Sequence, residues 1–161
     1  VIGTIMGMRY VHTNLIARNW RTLATFYQEV FNCVPVPPQR NLHGKWLDRA
    51  TGRDNARISG AHLLLPGNGK SGPTLEIFEY DGNRASLTKE VNTPGFAHIA
   101  FAVDDVQEVL QRVLARGGSE LGDVTTTVIA GAGTITFVYV RDPEGNIIEL
   151  QRWHGSGEDR G

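Results

Sequence analysis

Between Gly95 and Trp153 the spacing of apolar residues changes from one period to another and back. Ala97, Ile99, Phe101 and Val103 alternate with His98, Ala100 and Ala102, the period-2 pattern of a strand. Asp104 and Asp105 supply a helix N-cap. Val106, Val109, Leu110, Val113 and Leu114 then recur on one helical face, and Gly117 and Gly118 end it. Thr134 to Arg141 and Ile147 to Trp153, joined by a turn over Asp142 to Asn146, predict a β-hairpin. The unit reads as a strand, a helix and then three strands. In its last strand Ile148 and Leu150 face one way, and Ile147, Glu149 and Gln151 the other. A carboxylate in mid-strand is costly to bury without a partner, so Glu149 asks for one.

The same pattern occurs earlier in the chain. Arg9 to Ile16 alternates as a strand that puts His12 on its more polar face, with Tyr10 and Asn14 beside it. Asn19 is placed to cap a helix whose buried side carries Trp20, Leu23, Ala24, Tyr27 and Val30, ending near Asn32 and Cys33. An offset of 86 (98 − 12) carries His12 to His98, Asn19 to Asp105 and the first helix face onto the second. Ala61 to Leu65, a turn over Pro66 to Pro73, and Thr74 to Tyr80 complete the first copy. There Leu75, Glu76 and Ile77 match Ile148, Glu149 and Leu150 at an offset of 73 (149 − 76). The first copy therefore holds 13 more residues (86 − 73) between its helix and its last strand. Val34 to Pro38 reads as an extended connector, because proline donates no ladder hydrogen bond. Gln39 to Ser59 shows no clear period. The expected organisation is α+β: a first module over 9–80 with a loop insertion at 35–60, a linker at 81–94, a second module over 95–153, and a disordered tail at 154–161.

Composition narrows the class. A chain of 161 residues, 40% hydrophobic and 20% charged, with 19 Gly and 7 Pro, is expected to fold as one ordinary globular protein with many turns. A net charge of -1 argues neither for nucleic acid nor for a membrane surface, and neither is expected as a partner. No signal peptide and no membrane span are expected, and the single Cys33 fits a small apolar filler in a reducing, cytoplasmic setting. Arg40, Lys45, Arg49, Arg53 and Arg57 outnumber Asp48 and Asp54 in the insertion. They read either as a solvated loop or short helix, or as a mouth for an anionic small-molecule substrate.

Each copy thus offers one histidine on its first strand and one glutamate on its last. A lone strand histidine is ordinarily a hydrogen-bonded core or surface side chain, but recurrence at matched positions points to a shared task. His12, Glu76, His98 and Glu149 are the expected ligands of one divalent metal ion. Imidazole nitrogen with carboxylate oxygen suits Ni, Zn, Co, Mn or Fe and leaves two octahedral positions for water or substrate. His43 and His62 have no counterpart in the other copy and read as bystanders; His154, near the tail, is given no role.

His12 with Phe26 and Tyr27, the run from His98 to Asp105, and above all the run from Val140 through Asp142, Pro143, Gly145 and Asn146 to Glu149 and Leu150 carry a resemblance. The chain resembles the vicinal oxygen chelate superfamily, which includes glyoxalase I, methylmalonyl-CoA epimerase, extradiol dioxygenases, and fosfomycin and bleomycin resistance proteins. The resemblance covers Arg9 to Trp153 and implies two βαβββ modules whose mixed sheets curl into a half-open cup around a metal. The order His, Glu, His, Glu is similar to that of bacterial glyoxalase I. It implies a lyase or isomerase that abstracts a proton next to a carbonyl and stabilises an enediolate on the metal. Glu149 is then the expected base, Glu76 a ligand and second acid/base, and the two histidines ligands only. The alternatives are a methylmalonyl-CoA epimerase-like isomerase, an Fe or Mn extradiol-type dioxygenase in which Glu76 swings out, and a binding protein conferring resistance without turnover. The last would line its cavity with Trp46, Phe78 and Trp153. A homodimer is expected for a small enzyme of this kind.

Overall fold

The computed structural model describes residues 7–155 of the chain. They form β1 (His12–Ile16), α1 (Trp20–Phe31), β2 (Val34–His43), α2 (Lys45–Thr51), β3 (Arg57–Leu64) and β4 (Thr74–Tyr80), followed by β5 (His98–Ala102), α3 (Val106–Ala115), β6 (Ser119–Glu120), β7 (Thr125–Ile129), β8 (Gly133–Arg141) and β9 (Ile147–His154). The architecture is α+β, with two βαβββ-like modules and two mixed sheets. Among the described residues, 7–155, two compact units result, one of residues up to 24 with 32–82 and one of residues 25–31 with those from 83 on. No helix among the described residues is long and apolar enough to cross a membrane. The tail expected to be disordered falls, beyond Gly155, outside the described residues, as do 1–6 at the start.

The sheet of the first unit runs β1-β4-β3-β2. β1 lies parallel to β4, and β4 and β2 are antiparallel to β3. Asn19 caps α1 as expected, its side chain accepting from the Thr22 amide at 3.2 Å, and Glu79 accepts from the Trp20 amide at 3.1 Å. Carboxylate and amide oxygens there satisfy amide groups that the first turn of a helix leaves open. Leu23, Leu63, Leu75 and Ile77 are fully buried, each contributing about 1.5–3 kcal/mol by leaving water. Cys33 is buried and its thiol is pushed up to about 12 by burial, the behaviour of an apolar filler.

The segment 35–60 is not the loop insertion expected from sequence. Its start is strand β2, which tolerates Pro35, Pro37 and Pro38 because it is the sheet edge; the register shifts between Val36 and Arg40. Gly44, at φ 121°, then turns the chain into α2, and Gly52, at φ 69°, closes that helix in the left-handed conformation. Periodicity failed to show α2 because it lasts 7 residues and buries only Leu47. Leu47 joins Ala56, Ile58 and Phe78 in a small core, with Leu42 and Tyr80 packed against it.

The sheet of the second unit runs β5-β9-β8-β6, with β7 also paired to β8. Asp105 caps α3, accepting from the Glu108 amide at 3.0 Å, and Val106, Leu110 and Val113 are its buried residues. β6 and β7 pair with successive parts of β8 and together hold the place that β2 holds in the first unit. Residues 25–31, placed in the first module by the sequence repeat, pack in this unit instead. Aromatic contacts and polar bonds hold them there. Phe31 stacks on Phe101 with ring centres 4.0 Å apart, and Glu29 meets Arg112 through its carbonyl and Arg116 through its carboxylate.

Asp142 explains why the turn before β9 has so marked a sequence. Its carboxylate is buried and accepts four bonds: from the Glu144 and Asn146 amides at 2.8 and 3.0 Å, the Asn146 side chain at 2.8 Å and the Tyr27 hydroxyl at 2.8 Å. Burial raises its pKa against these bonds, which favour the ionised form. The turn starts β9 at Ile147, and so sets the register that delivers Glu149.

Candidate functional site

In the first unit β1 and β4 pair in parallel, with His12 opposite Thr74 and Asn14 opposite Glu76. Side chains two apart on a strand share a face, so His12, Asn14 and Glu76 project together. The His12 Nε2 lies 3.0 Å from Glu76 Oε1, and the Asn14 amide donates to the same oxygen at 3.3 Å. Antiparallel pairing with β3 puts His62 opposite Glu76 from the other side. Its Nε2 is 2.8 Å from Glu76 Oε2, and its ring meets that of His12 edge-on, with centres 6.1 Å apart. Glu76, with only 9% of its surface exposed, thus has both carboxylate oxygens engaged.

His62 is therefore not the bystander that the sequence suggested. Its pKa is lowered, chiefly by burial and further by Arg40 and His12, against the attraction of Glu76. Its Nε2 is the atom turned toward Glu76. The signal that would have found it is cross-strand register: the β3 residue opposite Glu76 has a counterpart on β8, opposite Glu149, and that counterpart is Tyr139. Matching histidine to histidine could not show it.

The second unit repeats the geometry with fewer partners. β5 pairs in parallel with β9, setting His98 opposite Ile147 and Ala100 opposite Glu149, the register of β1 on β4 shifted by the repeat. His98 Nε2 is 3.3 Å from Glu149 Oε2. The Tyr139 ring meets that of His98 edge-on at 5.1 Å. Burial, and then the charge of Glu149, raise the pKa of its phenol.

Other candidates stand elsewhere. His43 ends β2 opposite Arg57, and His154 Nε2 contacts the Thr136 hydroxyl at 2.8 Å. Phe78 is buried in the small core under α2 and touches His62 edge-on at 5.7 Å, so it buttresses that ring; Trp46 is half exposed on α2. The basic segment is not a mouth of one sign near α2, where Lys45 and Arg49 alternate with Asp48 and Asp54. Asp48 accepts from the Ala56 amide at 2.8 Å, a bond that lowers its pKa, and lies 3.8 Å from Lys45.

The donor chemistry suits a divalent ion. Two atoms each about 2.1 Å from one ion and at right angles lie about 3.0 Å apart, and at a tetrahedral angle about 3.4 Å. The two His–Glu separations, 3.0 and 3.3 Å, fall in that range. Among the described residues no group of three or more His, Cys, Asp or Glu is arranged to hold a metal; each unit presents one His–Glu pair, to which the first unit adds His62 on the other oxygen of Glu76.

Known structures resemble the whole chain. A glyoxalase family protein from Bacillus cereus superposes with a TM-score of 0.72 at 21% identity, over 96% of this chain and 98% of that one. A glyoxylase/bleomycin resistance protein/dioxygenase domain from Frankia sp. EAN1pec gives 0.59 at 20% identity, over 94% and 100%. The genomically encoded fosfomycin resistance protein FosX from Listeria monocytogenes gives 0.57 at 17%, over 96% and 98%. Identities this low establish a shared fold and no shared reaction. No curated protein matches the sequence. The model of the Glyoxalase/Bleomycin resistance protein/Dioxygenase superfamily matches residues 9–150, nearly the full described length, and the chain belongs to that superfamily.

Proposed function

We propose that this protein is a metal-dependent, glyoxalase I-like lyase or isomerase of its superfamily, removing a proton from a carbon next to a carbonyl in a small-molecule substrate. The observation that carries the reading is the doubled pair: His12 with Glu76 and His98 with Glu149, in the same cross-strand register and at 3.0 and 3.3 Å. These four side chains are the proposed ligands. A bound divalent ion would supply Lewis acidity toward the substrate carbonyl.

The chain's own residues divide the remaining work. His12 and His98 hold their Nε2 atoms beside the carboxylates, and serve as ligands only. Glu149 is the proposed base, since its contact with His98 is the one ion pair that holds it among the described residues. Its side chain is 15% exposed, mostly buried beside His98. Glu76, engaged at both oxygens, is the fixed ligand and second acid/base. The same engagement opposes a dioxygenase reading, in which Glu76 would have to leave.

Elemental analysis of the purified protein beside His98→Ala tests the ligand set, and loss of exchangeable α-protons from α-hydroxyketones and acyl-thioesters, followed by NMR, tests the chemistry. Near-stoichiometric Ni, Co, Mn, Fe or Zn that disappears in the variant is the expected result. A wild-type protein that neither carries nor takes up a divalent ion overturns the proposal.

A further inference from the structure

Each unit has a strand residue facing its glutamate from the antiparallel side, and the two residues differ in kind. In the first unit it is His62, whose Nε2 lies 2.8 Å from Glu76 Oε2, while His12 and Asn14 address the other oxygen, Oε1. The ring of His62 is itself held. Phe78 packs edge-on against it at 5.7 Å, and Phe78 is anchored in the core formed with Leu47, Ala56 and Ile58. Its side chain is 18% exposed against 40% for His12, so it stands deeper than the proposed ligand.

We propose that His62 is a positioning residue that ties down Glu76 Oε2 and leaves Oε1, on the His12 side, as the single oxygen that Glu76 offers to a metal. This rests on the metal-enzyme reading above. A carboxylate with one oxygen held by the imidazole Nε2 keeps its plane and rotamer, and so binds through one atom. Without that bond it can turn and bind through both. The small core under α2 then has a task beyond stability, since it holds Phe78 and through it the imidazole.

Cobalt(II) taken up by metal-free protein tests this without reference to turnover. Its affinity is measured by competition with a chelator, and its visible absorption reports coordination number. His62→Leu is expected to weaken cobalt binding about 10- to 100-fold and to change the spectrum, as loss of an orienting partner does. His62→Gln, which keeps a side-chain N–H to donate, is expected to restore both. Near-ultraviolet circular dichroism of His62→Leu separates a misfolded variant from a disoriented ligand, and His62→Gln carries the test if His62→Leu does not fold. Wild-type affinity and spectrum in His62→Leu overturn the positioning role alone, leaving the four-ligand reading intact. So does complete loss of cobalt in both variants, which would make His62 a ligand. No uptake by the wild type removes the metal reading and this inference with it, whereas uptake by the wild type that His12→Ala abolishes keeps the metal reading whatever the His62 variants do.

Discussion

Glu76 and Glu149 occupy equivalent places in two copies of one design, yet their surroundings differ. Both sit on the strand parallel to the first strand of their unit, and both meet a histidine placed two residues before their cross-strand partner. Glu76 is also bonded by His62 and Asn14; at the places of those residues Glu149 has Tyr139, whose ring packs on His98, and Ala100. The strand beside them differs likewise. Where the second unit has Phe137 opposite Gln151, the first has Gly60 opposite Phe78, and a Cβ on Gly60 would stand 2.2 Å from the Ile77 carbonyl oxygen. The first unit thus packs Phe78 closely over its strand and beneath α2, and builds a rigid support for His62 from it. A repeated His–Glu pair thus has different neighbours in its two copies, one carboxylate engaged at both oxygens and the other meeting its histidine through one.

The largest effect should come from the carboxylates themselves. Glu149→Gln is expected to lower the rate of α-proton exchange by about 10²- to 10⁴-fold, the range for loss of a general base, with metal still bound. Glu76→Gln should act first on metal content. Equal loss of metal in the two variants, measured by elemental analysis, would erase the division of roles.

Next in size is the turn that sets the register of Glu149, which has no equal in the first unit. Asp142→Ala should cost about 3 kcal/mol in urea unfolding, because buried donors lose their acceptor. The sign of its pH dependence follows from burial. With the native pKa raised above the unfolded one, the native state binds more protons between the two values. The stabilisation linked to the proton on Asp142 is present in full below the ordinary carboxylate pKa and is lost as pH rises through the native value. Asp142→Asn should flatten that slope, and an unchanged slope would show that another group sets it.

Gly60→Ala should destabilise the protein by about 1–3 kcal/mol, since the new methyl meets backbone rather than a side chain that could give way. Thermal melts would check this, and a neutral result would mean that β3 has room to shift. The smallest effect is expected at Tyr139→Phe, which keeps the ring against His98 and removes only the hydroxyl. Cobalt affinity should stay at the wild-type level, in contrast to His62→Leu. A comparable loss would mean that the two cross-strand neighbours do the same work.

What the amino-acid order determined by itself was whatever local chemistry and repetition can express. The helix caps at Asn19 and Asp105, the buried faces of α1 and α3, strands β4 and β9 and the matched pairs of His12 with Glu76 and His98 with Glu149 could all be read from periodicity and offset. Two strand faces with period 2, repeated at offsets of 86 and 73, leave few alternatives. Three things were decided only by tertiary structure. Strand β2 forms across prolines because it has a single neighbour, a fact of sheet order. Helix α2 exists because Leu47 finds Ala56, Ile58 and Phe78, and no period marks so short an element. His62 reaches Glu76 because antiparallel register sets them opposite one another, and register between strands depends on where each turn and bulge falls, which no single segment encodes.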